Sequence, residues 1–391
     1  MRLKELADKV YDFEMRLTER YLSNGDAGFA NEDERLNLTH EYSRITYGQN
    51  HLEWISDGAA TPKYFPSLFV REPAARSPLT AAMTLTGAPH MAFRLGENTL
   101  ISELFYGKYQ ACQKTSNGKT LMLHLRGLDC KVYITLDAAV AAFKNNGGTH
   151  HLITNAEYAY RILKCRAQGY QPQGNNSYGK DEQGNHGEPC MTYDSGNTKY
   201  TGRVLQGSGP LTWFDDGSPL GLWGLNGNVW EWCSGFRLNG GEINILPLNT
   251  AALATADLSA ASAEWRGVLS DGALCAPGAT GALKFGSVAA ENTITLSSQT
   301  IASGYYYGQF KNLDYTPQPT ILKELSILPC DAGDYGGDYI YISTDGERAA
   351  FRGGNWSNGS NYGLSALNLI LARSSSNDGI GARGSFYRTA A

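Results

Sequence analysis

The chain has 391 residues, enough for two to three domains and for a core that needs no disulfide or metal staple. Apolar residues make up 42% and charged residues 18%, and the 45 glycines describe a loop-rich, well-packed globule rather than a disordered chain. With 33 basic against 38 acidic residues the formal charge is −5, which excludes the basic footprint of a nucleic-acid binder.

Leu3, Leu6, Val10, Phe13 and Leu17 recur at spacings of three and four, which predicts an amphipathic helix within residues 1–25 that stops at Ser23-Asn24-Gly25. The seam is only two to three heptads long, so it serves either as the buried face of a helix on its own domain or as one strand of an intersubunit bundle. The N-terminal stretch carries charge every two or three residues and no apolar run reaches the length of a membrane helix. Neither a signal peptide nor membrane insertion is therefore expected. In residues 26–97, Pro62, Pro66, Pro73, Pro78 and Pro89 interrupt short β-like runs such as Ser67 to Val70, the pattern of a small accessory domain or linker.

From residue 98 onward the signals sharpen. Strand-like runs at Tyr109 to Lys114 and Thr120 to Arg126 flank Ser116-Asn117-Gly118, a strong hairpin signal. Asp137 reads as the N-cap of an alanine-rich helix that ends before Gly147-Gly148. Thr154 and Glu157 make a capping box for a second helix that stops at Gly169. Residues 170–220 lack periodicity and read as a long, locally packed loop. Trp223, Val229, Trp230 and Trp232 belong in a core. An Ala/Gly/Ser/Leu-rich insertion then occupies about 236–345 and ends in the tyrosine-rich stretch at Tyr339-Ile340-Tyr341.

The usual catalytic signatures do not survive inspection. Ser116-Asn117-Gly118-Lys119-Thr120 ends like a phosphate-binding loop, but Gln113 stands where its first glycine is required. No G-x-S-x-G elbow occurs. His150 and His151 are adjacent, not one helical turn apart, and with His124 and His186 they read as surface or turn histidines. Asn228 and Glu231 offer oxygens suited to calcium, but a polar pair fixing a tryptophan-rich turn is the simpler role. The 7 cysteines contain no CxxC pair and suit buried thiols better than a disulfide framework.

Taken together, Phe105-x-Gly107-Lys108-Tyr109, the capped helix at 154–167, Gly221-Leu222-Trp223-x-x-Asn226-Gly227-Asn228-Val229-Trp230-Glu231-Trp232, Arg352-Gly353-Gly354-Asn355-Trp356 and Ala372-Arg373 followed by Ile380-Gly381-Ala382-Arg383 resemble the formylglycine-generating-enzyme type of C-type lectin fold, across about 98–388. The resemblance implies an α+β fold, a lectin-like domain over 98–391, and scaffold roles for Arg352, Arg373 and Arg383. Within that superfamily, Arg-Gly-Gly-Asn-Trp together with Ala366-Leu367-Asn368-Leu369 is similar to the variable proteins of diversity-generating retroelements, whose functional relatives include phage tropism proteins. The enzymes of the superfamily place a cysteine pair after the Arg-Gly-Gly motif to hold copper, whereas this chain has no cysteine after Cys330. No enzyme activity, cofactor or metal is therefore expected.

Residues 352–391 contain no Lys, Glu or Gln, and set Ser, Asn, Gly and Tyr among aliphatic residues, as binding loops do. Trp356, Leu367, Leu369 and Ile380 suit buried anchors. Strand alternation puts Leu367 and Leu369 inward and Asn368 and Ile370 outward. The expected ligand-contacting surface is Asn355, Ser357, Asn358, Tyr362, Ser365, Asn368, Ile370, Leu371, Ser375, Asn377, Asp378 and Gly379. The resemblance implies a receptor-binding protein displayed on a phage tail, with a bacterial surface molecule (protein or glycan) and tail or baseplate proteins as partners, assembled as a homo-oligomer, in particular a trimer. The alternatives are a non-viral lectin-like binder with a fixed site and, further away, a sulfatase-modifying-type enzyme.

Overall fold

The computed structural model describes residues 2–74, 89–286, 295–298, 303–313 and 318–389. Two helices open the chain, α1 (Leu3–Asn24) and α2 (Glu32–Ile45). The strands β1 (Asn50–Ser56), β2 (Tyr64–Pro73) and β3 (Ile101–Gly107) follow, then the hairpin β4 (Cys112–Ser116) and β5 (Lys119–Leu123). Next come α3 (Leu136–Lys144), β6 (His151–Leu152), α4 (Asn155–Ala167) and the small hairpin β7 (Thr192–Asp194) and β8 (Lys199–Thr201). The rest of the chain supplies β9 (Trp230–Asn239), β10 (Glu242–Ile245), β11 (Arg266–Val268), β12 (Leu274–Cys275), β13 (Lys284–Gly286), β14 (Thr295–Ser297), β15 (Tyr305–Gln309), α5 (Thr320–Glu324), β16 (Tyr339–Ser343), β17 (Glu347–Arg352), β18 (Leu367–Leu369), β19 (Ile380–Gly381) and β20 (Gly384–Thr389).

This is a mixed helix-and-sheet protein with two principal sheets. The first runs β1-β2-β3-β20-β6, antiparallel throughout, so the last strand pairs with β3 and closes the chain on itself. The boundary expected at residue 97 falls inside this sheet, because β1 and β2 are hydrogen-bonded into it. The second runs β12-β11-β10-β9-β17-β18-β16-β15, with β16 and β18 parallel. Its strands come largely from the segment read as an insertion. One face of this second sheet is sealed by Ile340, Ile342, Leu367, Leu369 and Ala350, all 0% exposed.

α1 lies on its own chain. Phe13, Leu17 and Tyr21 join the cluster around Trp213, Trp223 and Phe65, while Leu3, at the free end, is 49% exposed. Glu14 beneath them is 0% exposed and accepts hydrogen bonds from Lys108 Nζ at 2.6 Å, Tyr42 Oη at 2.6 Å and Tyr109 Oη at 2.5 Å. A buried carboxylate held by three donors fixes the helix in place. Val10, Phe13 and Leu17 of the seam are therefore spent inside the subunit, while Leu3 and Leu6 are not fully covered.

Local signals translate directly. Asn117 and Gly118 adopt φ of 49° and 68°, the left-handed pair that a two-residue hairpin needs. Thr154 Oγ1 accepts from Glu157 N while Glu157 Oε2 accepts from Thr154 N. The cap of α3 is Thr135, whose side chain accepts from Ala138 N, and Asp137 instead lies in the first turn. His124 and His151 are not surface residues: they are 0% and 4% exposed, and burial drives the His124 imidazole down to about 3. The seven thiols are free, four of them buried, and desolvation pushes every one above the ordinary cysteine value.

Candidate ligand-binding surface

β17 ends at Arg352, a fully buried guanidinium whose Nε donates to Asn155 Oδ1 at 2.8 Å and whose Nη2 donates to Ser326 O at 2.8 Å. Among the described residues no carboxylate pairs with it, and burial pulls its pKa down to about 10. Gly353 and Gly354 follow at φ of 94° and 79°. A Cβ on Gly353 would stand 2.8 Å from Tyr158 Oη, and one on Gly354 would stand 2.8 Å from Tyr362 Cβ, so only glycine lets the chain fold back here. The loop from 355 to 365 is then tied down from several sides: Trp356 N to Asn228 O at 3.2 Å, Tyr178 N to Trp356 O at 2.6 Å, Gly359 N to Asn176 O at 2.7 Å, and Ser365 N to Asp338 Oδ2 at 2.7 Å.

Beneath it lies the polar network of the tryptophan-rich motif. Arg383 donates to Glu231 Oε1 at 2.6 Å and Oε2 at 2.9 Å. Gln110 Nε2 lies 2.9 Å from Val229 O, 3.1 Å from both Gly224 O and Glu231 Oε1, and 3.2 Å from Gly227 O. Asn228 Oδ1 accepts from Val204 N at 2.9 Å. Glu231 and Asn228 thus fix the turn, the simpler of the two roles read for them. Arg373 differs from the other two scaffold arginines: it is half-buried, and bonds Asp137 and Leu258 O near the surface.

The structure divides the twelve expected contact residues. Asn377 is exposed, and Asn355, Ser357, Asn358, Tyr362, Ile370, Leu371, Ser375 and Asp378 are half-buried. A Cβ on Gly379 would meet Asn355 Nδ2 at 2.2 Å, so the stretches 355–362 and 370–378 adjoin. Ser365, Asn368 and Gly379 are corrections. Ser365 is 1% exposed, its N–H committed to Asp338. Asn368, 6% exposed, sits opposite both Tyr341 and Phe351 in the sheet, and its Oδ1 accepts from Ile370 N at 3.1 Å. Alternation does point Asn368 away from Leu367 and Leu369, but the face it reaches is covered by rings. Gly379 is buried and accepts at its carbonyl from Trp230 N at 2.8 Å.

Two aromatic clusters flank the loop, and sequence reading missed both. On one side Trp356, 4% exposed, meets Tyr193 at 5.1 Å and Tyr178 at 5.6 Å between ring centres, and Tyr178 meets Tyr200 at 4.8 Å. The three tyrosines, carried by the β7–β8 hairpin and the turn before it, are 37–40% exposed. On the other side Tyr362 stacks on Tyr341 at 5.0 Å and 5°, Tyr341 on Tyr307 at 6.0 Å and 15°, and Tyr307 contacts Tyr305 at 6.1 Å. Tyr305 and Tyr307 on β15, and Tyr339 and Tyr341 on β16, share one face because each pair is two residues apart. The period-two spacing was present in the sequence; what it lacked was the parallel pairing of β16 with β18 that brings this ladder to Tyr362. The combined surface offers rigid rings with phenolic hydroxyls and, between them, short amide and hydroxyl side chains, a chemistry suited to non-covalent contact.

No protein-family model matches the chain, nor does any curated protein sequence. Among solved structures it is similar to the Major Tropism Determinant U1 variant, at 12% identity over 87% of this chain and 72% of that one with a TM-score of 0.32. The P3c variant gives 13% identity over the same shares with a TM-score of 0.30, and the M1 variant 12% and 0.29. No helix among the described residues is long and apolar enough to cross a membrane.

Proposed function

We propose that the protein is a ligand-binding protein of the retroelement-diversified type, with a C-type lectin-like domain that presents a variable C-terminal surface to a bacterial surface molecule from a phage tail. The observation that carries the reading is the physical partition of residues 352–389. Arg352, Trp356, Leu367, Leu369, Ile380 and Arg383 are buried anchors, whereas Asn355, Ser357, Asn358, Tyr362, Ile370, Leu371, Ser375, Asn377 and Asp378 reach the surface together. A scaffold that tolerates many sequences needs this separation. The closure of β20 on β3 and the Arg383–Glu231 pair support the lectin-like scaffold, since they give the quoted motifs one shared structural role. Thiol chemistry of the kind the superfamily's enzymes use is disfavoured, because every thiol is pushed up by desolvation and so stays protonated at neutral pH.

Sequencing this locus in related genomes tests the reading. Substitutions are expected to concentrate at the nine surface positions and to spare Ser365, Asn368 and Gly379, which the structure buries. An even spread along the chain would contradict retroelement diversification and leave the fixed-site binder. With purified protein and intact bacterial cells as the probe, Tyr362→Ala should weaken retention on cells that the parent protein labels, and unchanged retention would remove this surface from the interaction.

A further inference from the structure

Along their main order the two principal sheets end in β1, β6, β12 and β15, and these edges are not alike. β6 and β12 are two residues long. β1 carries His51 and Glu53, paired at 2.7 Å, and α2 packs beside it. β15 is the exception. Its five residues, Tyr-Tyr-Tyr-Gly-Gln, include no charge and no proline, and its register with β16 has no bulge. Soluble proteins blunt edge strands with just those devices, so an unblunted edge marks a pairing surface. Among the described residues nothing pairs with its outer side.

The register shows which backbone groups face outward. Thr344 N donates to Gly304 O and Phe310 N donates to Asp338 O, so residues 304, 306, 308 and 310 turn toward β16. Tyr305, Tyr307 and Gln309 therefore turn their N–H and C=O groups away from the sheet. Tyr305 and Tyr307 are 52% and 39% exposed.

We infer that β15 pairs antiparallel with β15 of a second copy of this chain, about a twofold axis at Tyr307. With Tyr307 opposite its own counterpart, Tyr305 meets Gln309 of the partner subunit and Gln309 meets Tyr305 of the partner subunit. Each opposed pair exchanges two backbone hydrogen bonds. The outward groups are self-complementary about the central residue, as an isologous contact requires, and no charge lies on the strand to repel its copy. This symmetry favours a second copy over an unrelated extended peptide. The axis of such a pair stands perpendicular to the sheet, so both tyrosine ladders emerge on the same side and merge into one patch. A single short strand makes a small contact, and the association is accordingly weak and concentration-dependent. The inference is independent of the ligand-binding reading, and it differs from the helix-seam trimer expected from the sequence, which would give a mass of three chains.

Light scattering of the full chain over a dilution series tests it. The mass should rise from one chain toward two with concentration. Tyr307→Pro removes the central outward N–H and leaves the β15–β16 bonds intact, and it should hold the protein at one chain. Tyr307→Lys places two like charges at the axis and should do the same while still melting cooperatively, at a cost no larger than its lost stacking on Tyr341, which keeps the test decisive if the proline variant does not fold. A single chain at every concentration overturns the inference and leaves the edge to an extended ligand or to another segment of this chain. A two-chain species that survives Tyr307→Lys overturns it as well.

Discussion

Asp338 is 2% exposed, and among the described residues its side chain accepts one hydrogen bond, from Ser365 N, and forms no ion pair. Desolvation raises its pKa to about 7, with the backbone bond from Ser365 opposing and Asp334 adding to the rise. An unfolded aspartate titrates near ~3.9, so between about 4 and 7 the folded chain holds a proton that the unfolded chain has released. This group therefore stabilises the fold on acidification, and its contribution is lost as pH rises through 7. Asp338→Asn keeps an acceptor for Ser365 N and removes the ionisation; it should raise the unfolding free energy at pH 8 by an amount on the order of 1–3 kcal/mol, and with it the melting temperature, and match the parent at pH 4. Equal melting of the two proteins at pH 8 would show that the carboxyl is solvated. Close by, Trp356 and Tyr362 separate scaffold from surface. Trp356→Ala should cost about 3–5 kcal/mol in thermal melts, as buried aromatic truncations do. Tyr362→Ala should cost about 1–2 kcal/mol, because its ring stacks on Tyr341 and meets Trp230 edge-on at 5.5 Å. If the two variants melt alike, Tyr362 belongs to the core and not to the surface.

At the scale of elements, what was legible in the sequence is what closes within a few residues. Asn117-Gly118 dictates its own backbone, and the Thr154–Glu157 box needs only one turn of helix. Thr154 does more than cap, since its Oγ1 also donates to Asn249 Oδ1 at 2.6 Å within a buried network that includes Glu157. Loss of the cap alone costs ~1 kcal/mol, and orphaning a buried acceptor adds ~1–3 kcal/mol. Thr154→Ala should therefore destabilise by about 2–4 kcal/mol in chemical denaturation, more than a surface cap does, while Thr154→Ser recovers most of it. Contacts between distant segments were not legible. Periodicity assigns Asn368 to the face opposite Leu367, but the covering of that face comes from Tyr341 and Phe351, strands away in sequence. The heptad spacing of α1 likewise names a buried face without naming what buries it, and Glu14, a charge within that face, is the residue that ties it to Lys108 and Tyr109. The candidate site was legible in its loop and not in its flanks, because Tyr178, Tyr193 and Tyr200 reach Trp356 only through the packing of loop 174–179 against 356–359.

For the molecule as a whole, the buried His90 and His124 and the half-buried His150 govern the acid limb of stability. Burial drives His90 and His150 down to about 4 and His124 to about 3. His124 stacks against Gly107, where any Cβ would stand 2.4 Å from its ring, and its Nδ1 bonds Tyr109 O at 2.8 Å, so the ring has no room to move out when it gains a proton. Free histidine titrates near ~6.5, so below that pH the unfolded chain binds protons that the folded chain refuses, and stability falls as pH drops from about 6.5 toward 4. His151 works in the opposite direction, its pKa held up by Glu157 against the desolvation that lowers it, and contributes most below pH 6.5. That contribution changes above pH 6.5, so within the decline it is Asp338 that opposes, between about 7 and 4. Three lowered imidazoles outweigh this one carboxyl, and the parent protein should lose stability progressively below pH 6. Asp338→Asn removes this opposing contribution, so its melting temperature, higher at pH 8, should fall more steeply on acidification and converge with the parent near pH 4. His124→Gln, which retains polarity without ionising in this range, should flatten the acid limb. Melting curves of the three proteins between pH 4 and 8 discriminate among these groups: parallel profiles for parent and His124→Gln would mean that His124 titrates normally and that the contact with Gly107 opens in the native state.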